Sequence, residues 1–389
     1  MPAPLQPSAA DVASGGILPL DHEKACLVGR VWVDTGSPGP RVAALRDDKL
    51  IDLSGLAPTM AHLLDGTDIK ARVEAHSGPV LGTIQEFLDR RALLAPCDLQ
   101  AVKASGVTFI ASAIERVIEE RCQGAREQAG PHRQSLRDKL EFSLIDIVPG
   151  SARASEVKDK LIKAGLWSQY LEVAIGPDPE IFTKAQPMSS VGCGADIGVH
   201  PDSQWNNPEP EIVLAISPAG EAVGAALGND VNLRDVESRS ALLLGKAKDN
   251  NASCAIGPFI RLFDDDFRLA DIRTAEVTVT ITGADGFETT GVNTMNAMSR
   301  MPQSLVAATI GNFHQYPDGL MLFLGTTFTP TCDRETIGGG FTHREDDHVR
   351  IESPRLGALE NRVTTSDRAP PWRYGVRDLM RSLAARQLL

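Results

Sequence analysis

Residues 207–216 read NPEPEIVLAI, so two glutamates stand directly before an apolar run. The run from Ile212 to Ile216 has the length and the residue types of a buried β-strand. Because residues two apart in a strand point to the same face, Glu209 and Glu211 are expected to share one side of the strand's start. The stretch therefore predicts a β-strand that begins with a pair of carboxylates.

A second acidic segment, GNDVNLRD at residues 228–235, follows another run of small and apolar residues. A hairpin between the two strands would bring Asp230 beside Glu209 and Glu211. Three converging carboxylates raise one another's pKa unless a hard cation lies between them, and oxygen ligands with open positions suit Mg²⁺ or Mn²⁺. Spacing alone leaves a second reading open, because alternating charges also occur on the solvated face of a strand.

Upstream of these strands, residues 109–122 predict an amphipathic helix. Its apolar residues recur at helical spacing, and its polar residues form the opposite stripe, which consists of Ser112, Glu115, Arg116 and Glu119. Residues 156–173 predict a second helix. After residue 173 the pattern changes to short β-rich runs such as EVTVTITG and LMLFLGTTF.

The chain divides into three parts by pattern. Residues 1–20 are rich in Pro, Ala and Ser and predict a poorly ordered start. Residues 21–95 predict a small mixed N-terminal domain of short strands and helices. Residues 96–389 predict a larger catalytic domain in which strands dominate, so the fold class expected is α+β.

Composition limits the partners of this 389-residue chain. A net charge of -12 repels phosphate backbones, so nucleic acid is not expected as a partner. No apolar run approaches the roughly 20 residues that cross a bilayer, and the N-terminus lacks the pattern of a signal peptide. We therefore expect a cytoplasmic protein that does not bind membranes and acts on a small molecule.

A third motif lies at residues 246–258, KAKDNNASCAIGP, and contains Lys248. Together the E-x-E strand, the N-D-x-x-x-R-D turn and this lysine before a Cys-x-x-Gly-Pro-like segment resemble the fumarylacetoacetate hydrolase family. The resemblance covers residues 96–365. It implies a mixed β-sandwich roll, the C-terminal-domain fold of that family, and a homodimer or homotetramer.

The resemblance also implies roles for single residues. Glu209, Glu211 and Asp230 match the family's ligands of Mg²⁺ or Mn²⁺, an ion that chelates a 2-oxoacid and stabilises its enolate. Lys248 matches the active-site lysine, which offsets the negative charge of the site. Arg234 matches the arginine of the acidic turn, which orients ligands or substrate; a salt bridge with Asp235 is the alternative. Thr326 matches a turn that faces the substrate; capping of that turn is the alternative.

One departure from the family bears on the reaction. Ser112 stands where many family hydrolases have the histidine that activates water, and Glu115 stands at the position of its glutamate partner. Elimination of water needs no attacking water molecule, so Glu115 is expected to act as general acid or base. Arg116 and Glu119 are expected to line the substrate cleft, with a solvated helix face as the alternative.

At the scale of the whole chain the resemblance favours family members that dehydrate 2-keto-3-deoxy-D-pentonates from D-xylonate or D-arabinonate. The expected product from this 2-oxo sugar acid is 2-oxoglutarate semialdehyde. An acylpyruvate-type C–C hydrolase and an oxaloacetate-type decarboxylase remain alternatives. A non-catalytic 2-oxoacid-binding protein is a third alternative, although the chain shows no basic patch typical of a DNA-binding output.

Overall fold

The computed structural model describes residues 16–144, 146–334 and 339–389. Most of the segment predicted to be poorly ordered, residues 1–15, lies outside the described residues. Among the described residues, the strands are β1 (Leu27–Val33), β2 (Gly39–Arg46), β3 (Lys49–Asp52), β4 (Val80–Thr83), β5 (Leu93–Leu94), β6 (Ala101–Gly106), β7 (Glu180–Ala185), β8 (Asp196–Val199), β9 (Asn206–Asn207), β10 (Pro210–Ile216), β11 (Ala222–Asp230), β12 (Asn232–Leu233), β13 (Cys254–Leu262), β14 (Glu276–Thr282), β15 (Glu288–Thr294), β16 (Leu320–Phe323), β17 (His348–Ser353) and β18 (Gly357–Thr365).

Helices connect and cover these strands. In the same described part of the chain they are α1 (Met60–Leu64), α2 (Ile69–Ala75), α3 (Ile84–Asp89), α4 (Ile110–Cys122), α5 (Ala129–Leu144), α6 (Ala152–Lys163), α7 (Gln169–Ile175), α8 (Arg234–Glu237), α9 (Leu244–Lys248), α10 (Leu269–Ile272), α11 (Pro302–Thr309) and α12 (Val376–Ala385). Within the ranges described, no helix combines the length and the apolar character that a membrane span requires.

The largest sheet joins the N-terminal strands to strands from the middle and later parts of the described chain. Its strands run in the order β4-β3-β2-β1-β13-β11-β10-β16-β6-β7, and β5 also pairs with β1. Strand β1 meets β13 through Leu27 opposite Arg261 and Val28 opposite Ile260. The predicted N-terminal domain, residues 21–95, therefore shares a sheet with the predicted catalytic domain, and the boundary between them stays a prediction.

A second sheet, in the order β15-β14-β17-β18-β8, packs against the first. One apolar core contains residues of both sheets, such as Leu214 and Leu227 from the large sheet and Ile351 and Leu359 from the smaller one. Burying a side chain of this size contributes about 1.5–3 kcal/mol. The arrangement confirms the predicted α+β class and the mixed sandwich.

The helical layer differs in part from the sequence-based prediction. Helix α4 matches its predicted range, but α5 was not predicted. The predicted helix at 156–173 is two helices, α6 and α7, because Gly165 adopts a left-handed φ of 68° and ends the first. The hydroxyl of Ser168 then accepts a hydrogen bond from the backbone N–H of Tyr170 and begins the second.

Candidate metal centre and active-site cavity

The hairpin predicted between the two acidic segments is present. Strands β10 and β11 pair antiparallel, with Glu211 opposite Gly228. Just before β10, the backbone N–H of Glu209 donates to the side chain of Asn229 at 3.1 Å. The N–H of Asp230 donates in turn to the carbonyl of Glu209 at 3.0 Å. These contacts fix the three acidic residues side by side.

The three carboxylates form a compact cluster. One oxygen of each of Glu209, Glu211 and Asp230 lies within 4.8 Å of the others. All three residues are only 1% exposed. Because all three residues are buried, they do not form the solvated face of a strand. Carboxylates at this separation and depth repel one another strongly.

The chemistry of this donor set fits a hard divalent cation. Oδ1 of Asp230 is buried and accepts no hydrogen bond of good geometry. Glu211 is oriented by the N–H of Gly325 at 2.7 Å and the hydroxyl of Thr326 at 3.3 Å. Burial, followed by the charges of Asp230 and Glu209, raises the pKa of Glu211 well above its usual value. A bound cation would remove this repulsion, and oxygen-only ligation suits Mg²⁺ or Mn²⁺.

Lys248 supplies positive charge to the cluster from the end of α9. Its Nζ donates to Glu209 at 2.5 Å and to Asp230 at 3.1 Å. Burial disfavours the ammonium form, but the charges of Asp230 and Glu209 outweigh burial and raise the pKa of Lys248. The structure thus brings together Lys248 and the predicted ligands, as the motif order suggested.

A second buried lysine was missed by the sequence analysis. Lys184, on β7, is fully buried, and its Nζ lies 2.9 Å from Oδ1 of Asp230. It also donates to the backbone carbonyl of Val231 at 3.1 Å. The only signal in the sequence is a lysine inside a strand, which is typical of solvated strands as well.

The polar stripe of α4 is buried against the cluster, so the alternative of a solvated helix face is excluded. Arg116 hydrogen-bonds Glu209, and its Nη1 lies 2.6 Å from Glu119 and 2.9 Å from Glu237. Arg116 and Ser112 line the cavity above the cluster. The two glutamates of the stripe, in contrast, are not among the residues that line it.

Those two glutamates belong to an ion-pair network behind the cavity. Glu119 accepts from Arg234 at 2.7 Å. Glu115 accepts from Arg133 at 2.9 and 2.7 Å. Burial favours the neutral form of Glu115, but the hydrogen bond from Arg133 and the charge of Arg234 outweigh it and lower the pKa. The general acid or base role of Glu115 and the substrate-binding role of Glu119 stay predictions.

Arg234 does not pair with Asp235, so that alternative is wrong. Its guanidinium lies 4.5 Å from the ring centroid of Trp205, and Asp235 instead accepts from the hydroxyl of Ser203 at 2.7 Å. Arg234 contributes to the site through Glu119, while Thr326 lines the cavity directly. The catalytic role of Arg234 stays a prediction.

Two further glutamates line the cavity, and the sequence analysis named neither. Glu180 begins β7 opposite Gly106. A Cβ atom at Gly106 would lie 1.9 Å from its Oε2, so only glycine allows this approach. Burial, followed by the charge of Glu237, raises the pKa of Glu180 to about 7. Glu237, the last residue of α8, is the second of the two.

Charge counting supports a divalent cation as well. In the described part of the chain, seven carboxyl groups line the cavity or join its ion pairs, against five cationic side chains. The carboxyl groups are Glu115, Glu119, Glu180, Glu209, Glu211, Asp230 and Glu237, and the cations are Arg116, Arg133, Lys184, Arg234 and Lys248. With all seven carboxyl groups ionised, the excess is two negative charges, which a divalent cation would balance.

Comparison with known proteins identifies the family. Residues 158–364, more than half of the chain, match the fumarylacetoacetate (FAA) hydrolase C-terminal domain. The chain belongs to the fumarylacetoacetate hydrolase family. Both the predicted family and its fold are therefore confirmed.

Two curated relatives are similar over much of the chain. A probable 2-keto-3-deoxyxylonate dehydratase of Haloferax volcanii is 32% identical over 279 residues, which are 72% of this chain and 77% of that protein. A 2-dehydro-3-deoxy-D-arabinonate dehydratase of Saccharolobus solfataricus is 33% identical over 192 residues, 49% of this chain and 60% of that protein. Both names agree with the prediction that this family member is a dehydratase.

Solved structures show the same fold. A 2-keto-3-deoxy-D-arabinonate dehydratase complexed with magnesium and 2,5-dioxopentanoate superposes with a TM-score of 0.61. It is 22% identical and covers 87% of this chain and 99% of its own. In this chain, the acidic cluster supplies the oxygen ligands that the predicted magnesium cofactor requires.

Proposed function

We propose that the protein is a Mg²⁺-dependent or Mn²⁺-dependent dehydratase of a 2-keto-3-deoxy-D-pentonate derived from D-xylonate or D-arabinonate. The product is 2-oxoglutarate semialdehyde, which is another name for 2,5-dioxopentanoate. The observation that carries the proposal is the buried cluster of Glu209, Glu211 and Asp230 beneath a cavity lined by Lys248 and Glu180. The names of the two curated relatives support the substrate class.

The lining of the cavity favours elimination over hydrolysis. Among the described residues that line it, none is a histidine or a cysteine. Ser112 lies there instead, at the position that the family resemblance assigns to a water-activating histidine. A serine hydroxyl is a poor general base at neutral pH, so attack by water on a C–C bond lacks its usual activator.

Glu209, Glu211 and Asp230 would hold the cation. When bound, it supplies Lewis-acid stabilisation to the carboxylate and 2-keto oxygens of the substrate. Lys248 and Arg116 add fixed positive charge beside the cluster, where negative charge develops as the C3 proton leaves. Both cations are already held by ion pairs, so little reorganisation is needed during the reaction.

Glu180 is the best-placed group for proton transfer. It lines the cavity, and a carboxyl with a pKa of about 7 can both accept and return a proton near neutral pH. In the proposed reaction Glu180 accepts the C3 proton and returns it to the C4 hydroxyl, which leaves as water. A shift of a proton from C5 to C3 then gives an enol, and transfer of the enol O–H proton to C4 yields the aldehyde. Glu115 is held in its charged form by Arg133 and lies behind the lining.

The partners of the protein are a separate proposal. We propose a homodimer or homotetramer in the cytoplasm that binds neither nucleic acid nor membranes. Light scattering coupled to size-exclusion chromatography tests the oligomeric state. A monomeric profile at micromolar concentration would refute it.

Turnover tests the function directly. The purified protein is incubated with 2-keto-3-deoxy-D-xylonate or 2-keto-3-deoxy-D-arabinonate, with Mg²⁺ or with EDTA, and the semialdehyde is followed through a coupled aldehyde dehydrogenase. We expect product with Mg²⁺ and none with EDTA. Parallel reactions contain an acylpyruvate and oxaloacetate. Turnover of either one without turnover of the pentonates would overturn the proposal in favour of a hydrolase or a decarboxylase.

A further inference from the structure

Glu237 is a buried acidic residue in the cavity that neither the metal cluster nor proton transfer uses. It ends the short helix α8, is 6% exposed and lines the cavity together with Lys248 and Glu180. The hydroxyl of Tyr170 donates to its backbone carbonyl at 3.4 Å. Its backbone is thereby tied to α7, and its side chain lines the cavity.

The carboxylate of Glu237 is incompletely satisfied. Nη1 of Arg116 lies 2.9 Å from its Oε2, yet this buried oxygen accepts no hydrogen bond of good geometry. A buried acceptor without a hydrogen-bonding partner costs free energy, typically about 1–3 kcal/mol. Burial of this carboxyl raises its pKa, which reflects the same cost. An incomplete buried acceptor that borders a substrate cavity is suited to receive a donor from the ligand.

Glu119 is a second glutamate that pairs with the same arginine. Its Oε2 accepts from Arg116 at 2.6 Å and its Oε1 accepts from Arg234 at 2.7 Å. Both oxygens are thus hydrogen-bonded, and Glu119 is not among the residues that line the cavity. The two glutamates share Arg116, but only Glu237 faces the space that a substrate would fill.

The place of Glu237 relative to the metal cluster indicates which part of a substrate it meets. Arg116 contacts Glu209 with one nitrogen and Glu237 with another, so the guanidinium separates Glu237 from the predicted metal ligands. The anionic end of a 2-oxoacid belongs at the cation and would be repelled by a second carboxylate. The neutral far end, which carries hydroxyl groups, has no such penalty.

We propose that Glu237 is a specificity-determining residue that accepts a hydrogen bond from the terminal C5 hydroxyl of the substrate. It thereby favours hydroxylated 2-oxoacids over plain ones of the same length. This inference rests on the proposed function and deepens it. A site built to hydrogen-bond a hydroxyl discriminates strongly against the analogue that lacks it, because the buried acceptor is then left unpaired.

Binding of two unreactive ligands tests the inference apart from turnover. 5-Hydroxy-2-oxopentanoate and 2-oxopentanoate differ in one hydroxyl, and neither carries a leaving group at C4. Calorimetric titration at a fixed, saturating Mg²⁺ concentration gives the ratio of their dissociation constants. We expect the wild-type protein to prefer the hydroxylated ligand at least tenfold.

The variants Glu237→Gln and Glu237→Asp should reduce this preference to about threefold or less, because the first removes the charge of the acceptor and the second withdraws it by one methylene. The matched control is Glu119→Gln, which also takes a carboxylate from Arg116. It should change the affinity for both ligands equally and keep the preference.

Three results would overturn the inference: a wild-type protein without preference, an unchanged preference in both Glu237 variants, or an equal loss of preference in Glu119→Gln. The last would mean that Glu237 acts only through Arg116. Failure of the proposed function would instead be seen as absent turnover of the pentonates, which this titration does not measure.

Discussion

Replacement of Lys248 by methionine should separate the electrostatic role of this residue from a packing role. The ammonium is buried between Glu209 at 2.5 Å and Asp230 at 3.1 Å, so the variant leaves both carboxylates without that partner. Breaking a buried ion pair costs roughly 3–5 kcal/mol. We expect the lower end, about 3 kcal/mol, because Arg116 still contacts Glu209 and Lys184 still contacts Asp230.

Thermal unfolding and turnover measure the two consequences. In EDTA, a loss of about 3 kcal/mol corresponds to a decrease in Tm of roughly 4 °C for a chain of 389 residues. With saturating Mg²⁺ the deficit should fall by at least half, because the cation neutralises the same carboxylates. Turnover should fall about a hundredfold or more even with Mg²⁺, since a fixed charge beside the developing enolate is lost.

Lys246→Met is the matched control for this prediction. Lys246 lies in the same short helix, but its side chain is 45% exposed and pairs with Asp202 at 3.5 Å. Its replacement should leave both Tm values and turnover nearly unchanged. An equal Tm deficit for Lys248→Met in EDTA and in Mg²⁺, or wild-type turnover, would refute the electrostatic role of Lys248.

Three other predictions follow from the cavity. Gly106→Ala should displace Glu180 and lower turnover at least tenfold with little change in Tm, whereas Gly245→Ala, where an added Cβ meets no atom, should do neither. If Gly106→Ala kept both the wild-type Tm and full turnover, Glu180 would have no role in the mechanism. Glu211→Gln should raise the Tm of the metal-free protein, because repulsion is relieved, and should abolish the Tm increase on adding Mg²⁺; a normal Mg²⁺ response would contradict its role as a ligand. Finally, the folded-state pKa of Glu180 is raised to about 7 from an ordinary value of about 4.5. Between about pH 4.5 and 7 the folded protein therefore binds more protons than the unfolded chain. The stability that protonated Glu180 contributes is lost as the pH rises through this range. Tm measured in EDTA should decrease over this range more steeply for the wild type than for Glu180→Gln, and equal slopes would refute the assignment.

The metal cluster could be predicted from sequence because its geometry is local. Glu209 and Glu211 share a strand start, and a single hairpin returns Asp230 to them, so strand periodicity and a short connection suffice. Lys248 follows soon after on the chain. Spacing alone left two possibilities open, a metal site and a solvated strand face. The family motifs then favoured the metal site.

The rest of the cavity depends on pairing between distant parts of the chain. Glu180 reaches the site because β7 pairs with β6, and β6 itself lies beside β16, far away in sequence. Helix α5, which supplies Arg133 to Glu115, has no clear amphipathic pattern. No periodicity in a single sequence fixes such contacts, so these residues were missed.

Binding of Mn²⁺ measured by electron paramagnetic resonance, with turnover recorded on the same samples, is the most direct test of the metal centre. For the wild-type protein we expect one bound ion per chain, and pentonate dehydration that rises in proportion to occupancy. The nearly isosteric variant Asp230→Asn should lose both the bound ion and the activity. Unchanged Mn²⁺ binding in that variant, or wild-type dehydration without any divalent cation, would contradict a catalytic cation held by Glu209, Glu211 and Asp230.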